Sequence, residues 1–475
     1  MYEYINGLRV ALHNLGCKVN SYEMDVMTRK LLDAGCSIVP FHEEADVYVI
    51  NTCTVTNIAD RKSRQMLHRS KKENPGAVVV AVGCYVETGL EGVKKDECID
   101  LAIGNNKKSE IADILEEFFR ARRQEPKMDE TGVCADSSDS SFAGRSKAAV
   151  PDKTLGGTSV IDINHTNEYE NMRLTELPEH TRAYIKVQDG CNQFCSYCVI
   201  PYARGRVRSR DMGDVLEEVK DLAGKGLKEV VITGIHVGSY GVDKGEPMLV
   251  TLLEKIQEIP QIERIRLGSV EPRLITPGNV ERLAAIKKLC PHFHLSLQSG
   301  CDSVLKRMNR HYTASEYMES VALLRKAFDR PAITTDVIVG FPGETGEEFE
   351  ECRKFCEDIA FYEMHVFKYS PRKGTVAAGL ADQLTDREKS ARSDVLISLT
   401  ERDSANYRRS FIGEPLSVLW EDEETHSGKK YMIGHTDRYV RVAVKEGTPE
   451  YALARSGEIT VVTAAEFLDD ETLLV

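Results

Sequence analysis

The chain has 475 residues, 41% hydrophobic and 29% charged, with a formal charge of −13 and 13 cysteines. That length exceeds one core and predicts two to four domains of globular composition, with no apolar run long enough to cross a membrane. The opening residues MYEYINGLRVALHNLGC carry no basic stretch leading into an apolar one, which argues against secretion and disulfide scaffolding. A cytoplasmic setting is expected, where patterned cysteines bind metals or do redox work.

Residues 1–120 alternate two periodicities. Apolar runs at 8–12, 37–41, 46–50 and 77–82, with a weaker one at 99–103, predict strands, and the patterns at 20–34 and 60–72 predict helices between them. Such alternation implies a parallel sheet with helices on both faces. Residues 121–180 include DETGVCADSSDSSFAGRSKAAVPDKTLGG, polar, Ser/Gly-rich and poor in aromatics, the composition of a flexible linker. Over 181–405 the βα alternation resumes six times, with strands expected at 183–188, 229–233, 264–269, 292–297, 334–340 and 364–369. Helices are expected between them at 212–225, 249–258, 280–289, 314–328 and 344–359, and near 384–410. This is the pattern of an open (β/α)6 partial barrel related to the TIM type. From 406 to 475, short strands at 416–420, 430–436, 439–443 and 458–464 predict a small all-β barrel, making the whole an α/β multidomain protein.

Immediately after the first barrel strand comes Cys191-Asn-Gln-Phe-Cys195-Ser-Tyr-Cys198. Three thiolates can ligate three irons of a 4Fe–4S cluster and leave the fourth open to chelate a small molecule. The competing readings are zinc or buried thiols; zinc favours four ligands in paired spacing, and the next cysteine is Cys290. The CxxxCxxC spacing at this place in a six-fold βα pattern resembles the radical S-adenosylmethionine superfamily. That resemblance implies an open iron bound by the amino and carboxylate groups of S-adenosylmethionine, which is cleaved to a 5′-deoxyadenosyl radical. It also implies cofactor contacts at the C-terminal ends of barrel strands. The candidates there are Thr233, Gly234, Ser269, Glu271, Gln298 and Asp336, with Tyr197 as the aromatic beside the adenine. For each polar candidate, an ordinary strand-end or turn residue is the competing reading.

Cys17, Cys53 and Cys84 lie far apart but each directly follows an apolar strand, in VALHNLGC, VYVINTC and VVVAVGC. In a parallel sheet these strand ends share one edge, where α/β proteins bind ligands. From the residues alone the trio is either a second open cluster site or three buried small side chains. Cys36, Cys98, Cys134, Cys290, Cys301, Cys352 and Cys356 show no such coincidence; Cys352 and Cys356 share a helix face and read as packing residues. The segments GCKVN, NTCTVT and GCY, with QDGCNQFCSYCVIPYARGRVRSR, TGIHVGSYG and DVIVGFPGET, resemble the methylthiotransferases over nearly the whole chain, the 121–180 linker being the main departure. The resemblance implies an auxiliary 4Fe–4S cluster at Cys17, Cys53 and Cys84 beside the one at Cys191, Cys195 and Cys198. All six cysteines then belong to the catalytic machinery. It further implies that one S-adenosylmethionine methylates sulfur and a second supplies the radical. A reductant such as flavodoxin or ferredoxin is expected, and the sulfur donor is not legible.

GCKVN followed by SYE, and NTCTVTN, are most similar to family members that methylthiolate carbon 2 of threonylcarbamoyladenosine beside the tRNA anticodon. Alternatives are isopentenyladenosine in tRNA, an aspartate of a ribosomal protein, or a non-catalytic iron–sulfur RNA-binding protein. Residues 61–72 carry six Lys/Arg and no acid, and Arg204, Arg206, Arg208 and Arg210 follow the radical motif. Both runs can grip RNA phosphate; the first also reads as a solvated helix face, and the second as partners for a cofactor carboxylate or sheet-edge acid. The terminal β domain resembles the TRAM domain, although residues 406–475 carry a net charge of −5. An RNA face there would be local, through Lys429, Lys430, Arg438 and Arg441, with Tyr439 or Trp420 stacking on a base; core packing is the favoured reading of Trp420.

Overall fold

Val- and Ile-rich runs build the first sheet from β1 (Arg9–Asn14), β2 (Ser37–Val39), β3 (Val47–Thr52), β4 (Val78–Gly83), β5 (Leu101–Ile103) and β6 (Thr158–Ser159). All pairings are parallel, in the order β2-β1-β3-β4-β5-β6. β3 and β4 are buried along their whole length, as strands covered on both faces must be. The covering helices include α1 (Lys18–Asp33), α2 (Asn57–Glu73), α3 (Cys84–Lys95) and α4 (Ile111–Gln124). α2 starts where Thr56 accepts a hydrogen bond from the Ala59 amide, at 3.1 Å.

The computed structural model describes residues 2–124, 157–178 and 180–475. Two compact units result, 1–174 with 199–206, and 175–198 with 207–475. Most of the expected linker, with Cys134, lies outside the described residues. The part that is described does not behave as linker throughout: β6 extends the first sheet, and the Tyr22 hydroxyl donates to the Met172 carbonyl at 2.7 Å. The short helix α5 (Ile200–Arg204), just after Cys198 in the chain, also belongs to the first unit.

In the second unit the six expected barrel strands form as β7 (Arg182–Asp189), β9 (Glu229–Gly234), β10 (Arg264–Leu267), β11 (His292–His294), β12 (Ala332–Val339) and β13 (Glu363–Lys368). A two-residue strand, β8 (Arg208–Ser209), adds antiparallel to β7. The sheets β10-β9-β7-β8 and β11-β12-β13 are joined by single bridges at Ile265/Leu289 and Val270/Leu295. The barrel therefore stays open beside β13.

The C-terminal residues form a curled sheet, β17-β14-β15-β16-β19-β18, from β14 (Pro415–His426), β15 (Lys429–Thr436), β16 (Arg441–Lys445), β17 (Ile459–Thr463), β18 (Glu466–Phe467) and β19 (Thr472–Leu474). Trp420 is fully buried in its core, and its indole N–H donates to Thr460 at 2.7 Å.

This sheet caps the floor of the barrel. There the fully buried Glu229 carboxylate meets Arg182 at 3.0 Å, Arg266 at 3.1 Å and Arg264 at 3.5 Å. Arg264 donates to the Ser417 carbonyl, and Arg266 to the Thr436 and Asp437 carbonyls. Tyr439 stacks on His292 and lies under the guanidinium groups of Arg182 and Arg266, so its ring is committed to the floor and is not a free platform for a base. Burial opposes ionisation of Glu229, but the three guanidinium groups override it and hold the carboxyl at about 2.

Glu229→Gln leaves three buried cations around a neutral amide and is expected to cost about 3–5 kcal/mol in denaturant unfolding. Because the folded value lies below the unfolded one, the ionised pair stabilises the fold above about pH 4.5 and this contribution fades as pH falls toward 2. Wild type should therefore lose stability over that window more steeply than the Gln variant.

Candidate metal centres

In the first unit, in-register pairing of Asn14 with Asn51 and of Thr52 with Gly83 brings the ends of β1, β3 and β4 side by side. Cys17, Cys53 and Cys84 follow those ends. Cys17 is the N-cap of α1 and Cys84 the first residue of α3, so both thiols sit at helix N-termini, where negative charge is favoured. The turns need glycine. Gly16 has φ of +116°, and a Cβ there would lie 3.3 Å from the Cys53 sulfur and 2.9 Å from Asn20. Gly83 has φ of +95°, and a Cβ there would lie 2.9 Å from Asn51. Burial pushes the Cys53 thiol up to about 11, and charge on Cys84 and Cys17 acts in the same direction.

Beneath this edge lies a buried polar layer that no sequence motif announced. Lys108 donates to Glu23 at 2.5 Å and Asn51 at 3.0 Å, while Arg204 donates to Glu23 at 2.7 Å and Asn20 at 2.6 Å. The Asn105 amide donates to the Cys84 sulfur at 3.6 Å, and the Cys53 amide to the Ser63 hydroxyl at 3.2 Å.

In the second unit the 191–198 loop is pinned from below. The Ser196 amide donates to the Met308 carbonyl at 2.9 Å, its hydroxyl to the Arg307 carbonyl at 2.8 Å, and Asn309 to the Phe194 carbonyl at 3.0 Å. Arg310, absent from the sequence reading, donates to the Cys195 sulfur at 3.2 Å and pairs with Glu271 at 2.7 Å. Glu271 also meets His236 at 3.2 Å. Burial alone would raise the Glu271 carboxyl; the His236 hydrogen bond and the Arg310 charge hold it at about 2. Burial pushes Cys191 up to about 11.

The strand-end candidates divide. Thr233 is buried, and Gly234 lies so close to Gln188 that a Cβ would meet its side-chain oxygen at 2.9 Å. Gln298 is buried with φ of +69° and bridges to β12. Tyr197 packs against the buried cluster that includes Met308, Phe341 and Tyr369. Ser269 is exposed. Asp336 has other neighbours, His294 and His365.

Among the described residues, two groups of three possible ligands bring their atoms within 4.8 Å of one another, His68/Asp96/Cys98 and His294/Asp336/His365. Neither thiol trio is one of these two groups. Thiolates on one zinc sit about 3.8 Å apart, whereas each thiolate of a 4Fe–4S cluster takes its own iron. Each trio offers three thiols that could take one iron apiece.

Of the arginine run, Arg204, Arg208 and Arg210 are buried, with Arg204 on Glu23, Arg208 3.9 Å from Asp189 and Arg210 on Glu218. These three pair with acids rather than presenting a phosphate grip; Arg206 is exposed. Arg61, Lys62, Arg64, Arg69 and Lys72 are exposed on α2, and a groove of about 550 Å³ runs along Arg61, Arg64, His68, Arg69 and Lys72. In the C-terminal sheet Arg438 pairs with Asp329 and Asp437, and Arg441 with Glu424.

Residues 185–356 match the family model described as the radical SAM superfamily, and residues 9–104 match one described as uncharacterized protein family UPF0004. The fold agrees: a solved radical S-adenosylmethionine methyltransferase, TsrM from Kitasatospora setae, superposes with a TM-score of 0.51 at 17% identity, over 76% of this chain and 72% of that one. The second unit is thus that of an enzyme working with S-adenosylmethionine and a 4Fe–4S cluster. Two threonylcarbamoyladenosine tRNA methylthiotransferases named MtaB are similar over 92% of this chain. That of Bacillus subtilis is 36% identical with 90% of its length covered, and that of Aquifex aeolicus 38% with 98% covered. A tRNA-2-methylthio-N(6)-dimethylallyladenosine synthase of Methylacidiphilum infernorum is 31% identical over 89% of this chain and 86% of its own length. The chain belongs to the radical SAM methylthiotransferase family.

Arg310 donates to a thiol of the radical trio and also anchors Glu271. Arg310→Met is expected to lower S-adenosylmethionine binding or cleavage about 10- to 100-fold, measured as 5′-deoxyadenosine released on reduction, with the iron content retained.

Proposed function

We propose that the chain installs a methylthio group on carbon 2 of threonylcarbamoyladenosine in tRNA, using two 4Fe–4S clusters. The supporting observation is 36–38% identity over 92% of the chain to two enzymes named for that nucleoside, against 31% for the dimethylallyladenosine enzyme. Cys191, Cys195 and Cys198 hold the radical-generating cluster and Cys17, Cys53 and Cys84 the auxiliary one. When bound, the clusters and S-adenosylmethionine supply the methyl group, sulfur and radical character that replace a C–H hydrogen by methylthio. The protein's own residues bind and orient. Glu271 and Arg310 fix one wall beside Cys195, with Thr233, Gly234, Gln298 and Tyr197 as further cofactor contacts. Lys108 and Arg204 place positive charge under the auxiliary trio, where an anionic thiolate cluster gains from it.

The exposed α2 cations are the electrostatic contact to RNA. A flavodoxin- or ferredoxin-type reductant and a cytoplasmic setting complete the reading; no helix among the described residues is long and apolar enough to cross a membrane.

Nucleoside mass spectrometry of tRNA from a strain lacking the gene tests the substrate. Methylthio should vanish from threonylcarbamoyladenosine alone and return on complementation; an unchanged profile refutes it. Gly16→Ala should displace the Cys53 thiol and lower iron in the reconstituted protein from about eight to about four per chain. Arg61→Glu with Lys62→Glu should weaken tRNA binding whatever its sequence. The slope of log affinity against log salt should shrink by about one per lost phosphate contact.

A further inference from the structure

β11, β12 and β13 pair in register, with His294 opposite Thr334 and Asp336 opposite His365. Alternate residues of a strand share a face. One face carries Phe293, Ile333, Thr335 and Val337, all buried, with Phe293 against Phe328 of the covering helix layer. The other carries His292, His294, Thr334, Asp336, His365 and Phe367. His292 stacks on Tyr439 at the barrel floor, so this second face lines the lumen.

On the lumen face the His294 Nε2 lies 3.3 Å from an Asp336 oxygen and is buried without a hydrogen-bond partner, while its Nδ1 meets the Thr334 hydroxyl at 3.1 Å. The His294 and His365 rings stack at 5.8 Å. β13 ends its sheet, so His365 and Phe367 stand at the open side of the barrel, and Phe367 is 47% exposed. An apolar ring exposed to that extent beside a convergent polar group, at the mouth of a lumen, is the composition of a site for a flat ligand with a polar edge.

We infer that Phe367, His365, Asp336 and His294 receive the target nucleobase of the RNA. Phe367 offers the stacking face, as aromatic side chains do for unstacked bases in single-stranded RNA. Asp336 accepts from ring or exocyclic N–H groups, and His365 completes the polar edge. This deepens the proposed function and rests on its reading of the substrate as an RNA base. It gives Asp336 a place with the substrate rather than with S-adenosylmethionine.

The test compares binding of reconstituted enzyme to two anticodon stem-loop RNAs, one with the target adenosine and one abasic at that position. Wild type should prefer the intact base by about tenfold or more, the scale of one stacked base. Phe367→Ala, and independently His365→Gln, should erase that preference while leaving affinity for the abasic RNA in place. A preference that survives in both variants overturns the pocket and leaves the tRNA reading standing; no preference in wild type removes the reading on which it rests. Loss of S-adenosylmethionine binding in Phe367→Ala, or a stoichiometric divalent cation lost in His365→Gln, would hand the site to another ligand and overturn the assignment.

Discussion

In a parallel sheet every strand ends on the same edge, so residues far apart in sequence meet there only if the intervening strands pair in register. Cys17, Cys53 and Cys84 depend on that rule. A one-residue slip of β3 against β4 would turn the alternating side chains to opposite faces and separate the thiols that Gly16 and Gly83 allow to approach. Asn51 and Thr52 supply the lock: Asn51 bonds Lys108 and the Asn20 carbonyl, and Thr52 donates to the Val82 carbonyl at 2.6 Å. Register and the gathering of the three cysteines at one edge are specified by the same side chains.

The second unit solves a related problem with charge. A partial barrel leaves a polar lumen that must be closed at one end, and here closure is ionic: Glu229 gathers three arginines from adjacent strands, two of which, Arg264 and Arg266, also bond backbone carbonyls of the C-terminal sheet. Buried ions are costly to dehydrate, so such a layer stabilises only while complete. Its completeness also fixes the orientation of the strands whose opposite ends carry Gln298, Glu271 and the thiol loop.

Much of this was legible in the sequence because periodicity reports burial. The first five strands of the first sheet and the six barrel strands appear close to where their apolar runs placed them, whereas β6 forms inside the expected linker, and both trios follow strands as read. What was not legible depends on side chains meeting across the fold. Arg310 sits in a loop after a helix and gives no local sign that it will reach Cys195. Arg204, Arg208 and Arg210 look like a phosphate grip in one dimension and become acid partners in three, because their acids come from residues 23, 189 and 218. His294 and His365 lie on different strands, and only the register of β11–β13 unites them with Asp336. Tyr439 looked free for a base until the floor arginines claimed its ring.

The central physical claim is that each thiol trio holds a cluster with one iron not ligated by a cysteine. Mössbauer spectroscopy of the chain reconstituted with iron-57 tests it most directly. Two 4Fe–4S clusters per chain are required, and S-adenosylmethionine must perturb one iron of the cluster that survives in a Cys17/Cys53/Cys84→Ala variant. Zinc in place of iron, or a spectrum indifferent to S-adenosylmethionine, would contradict it.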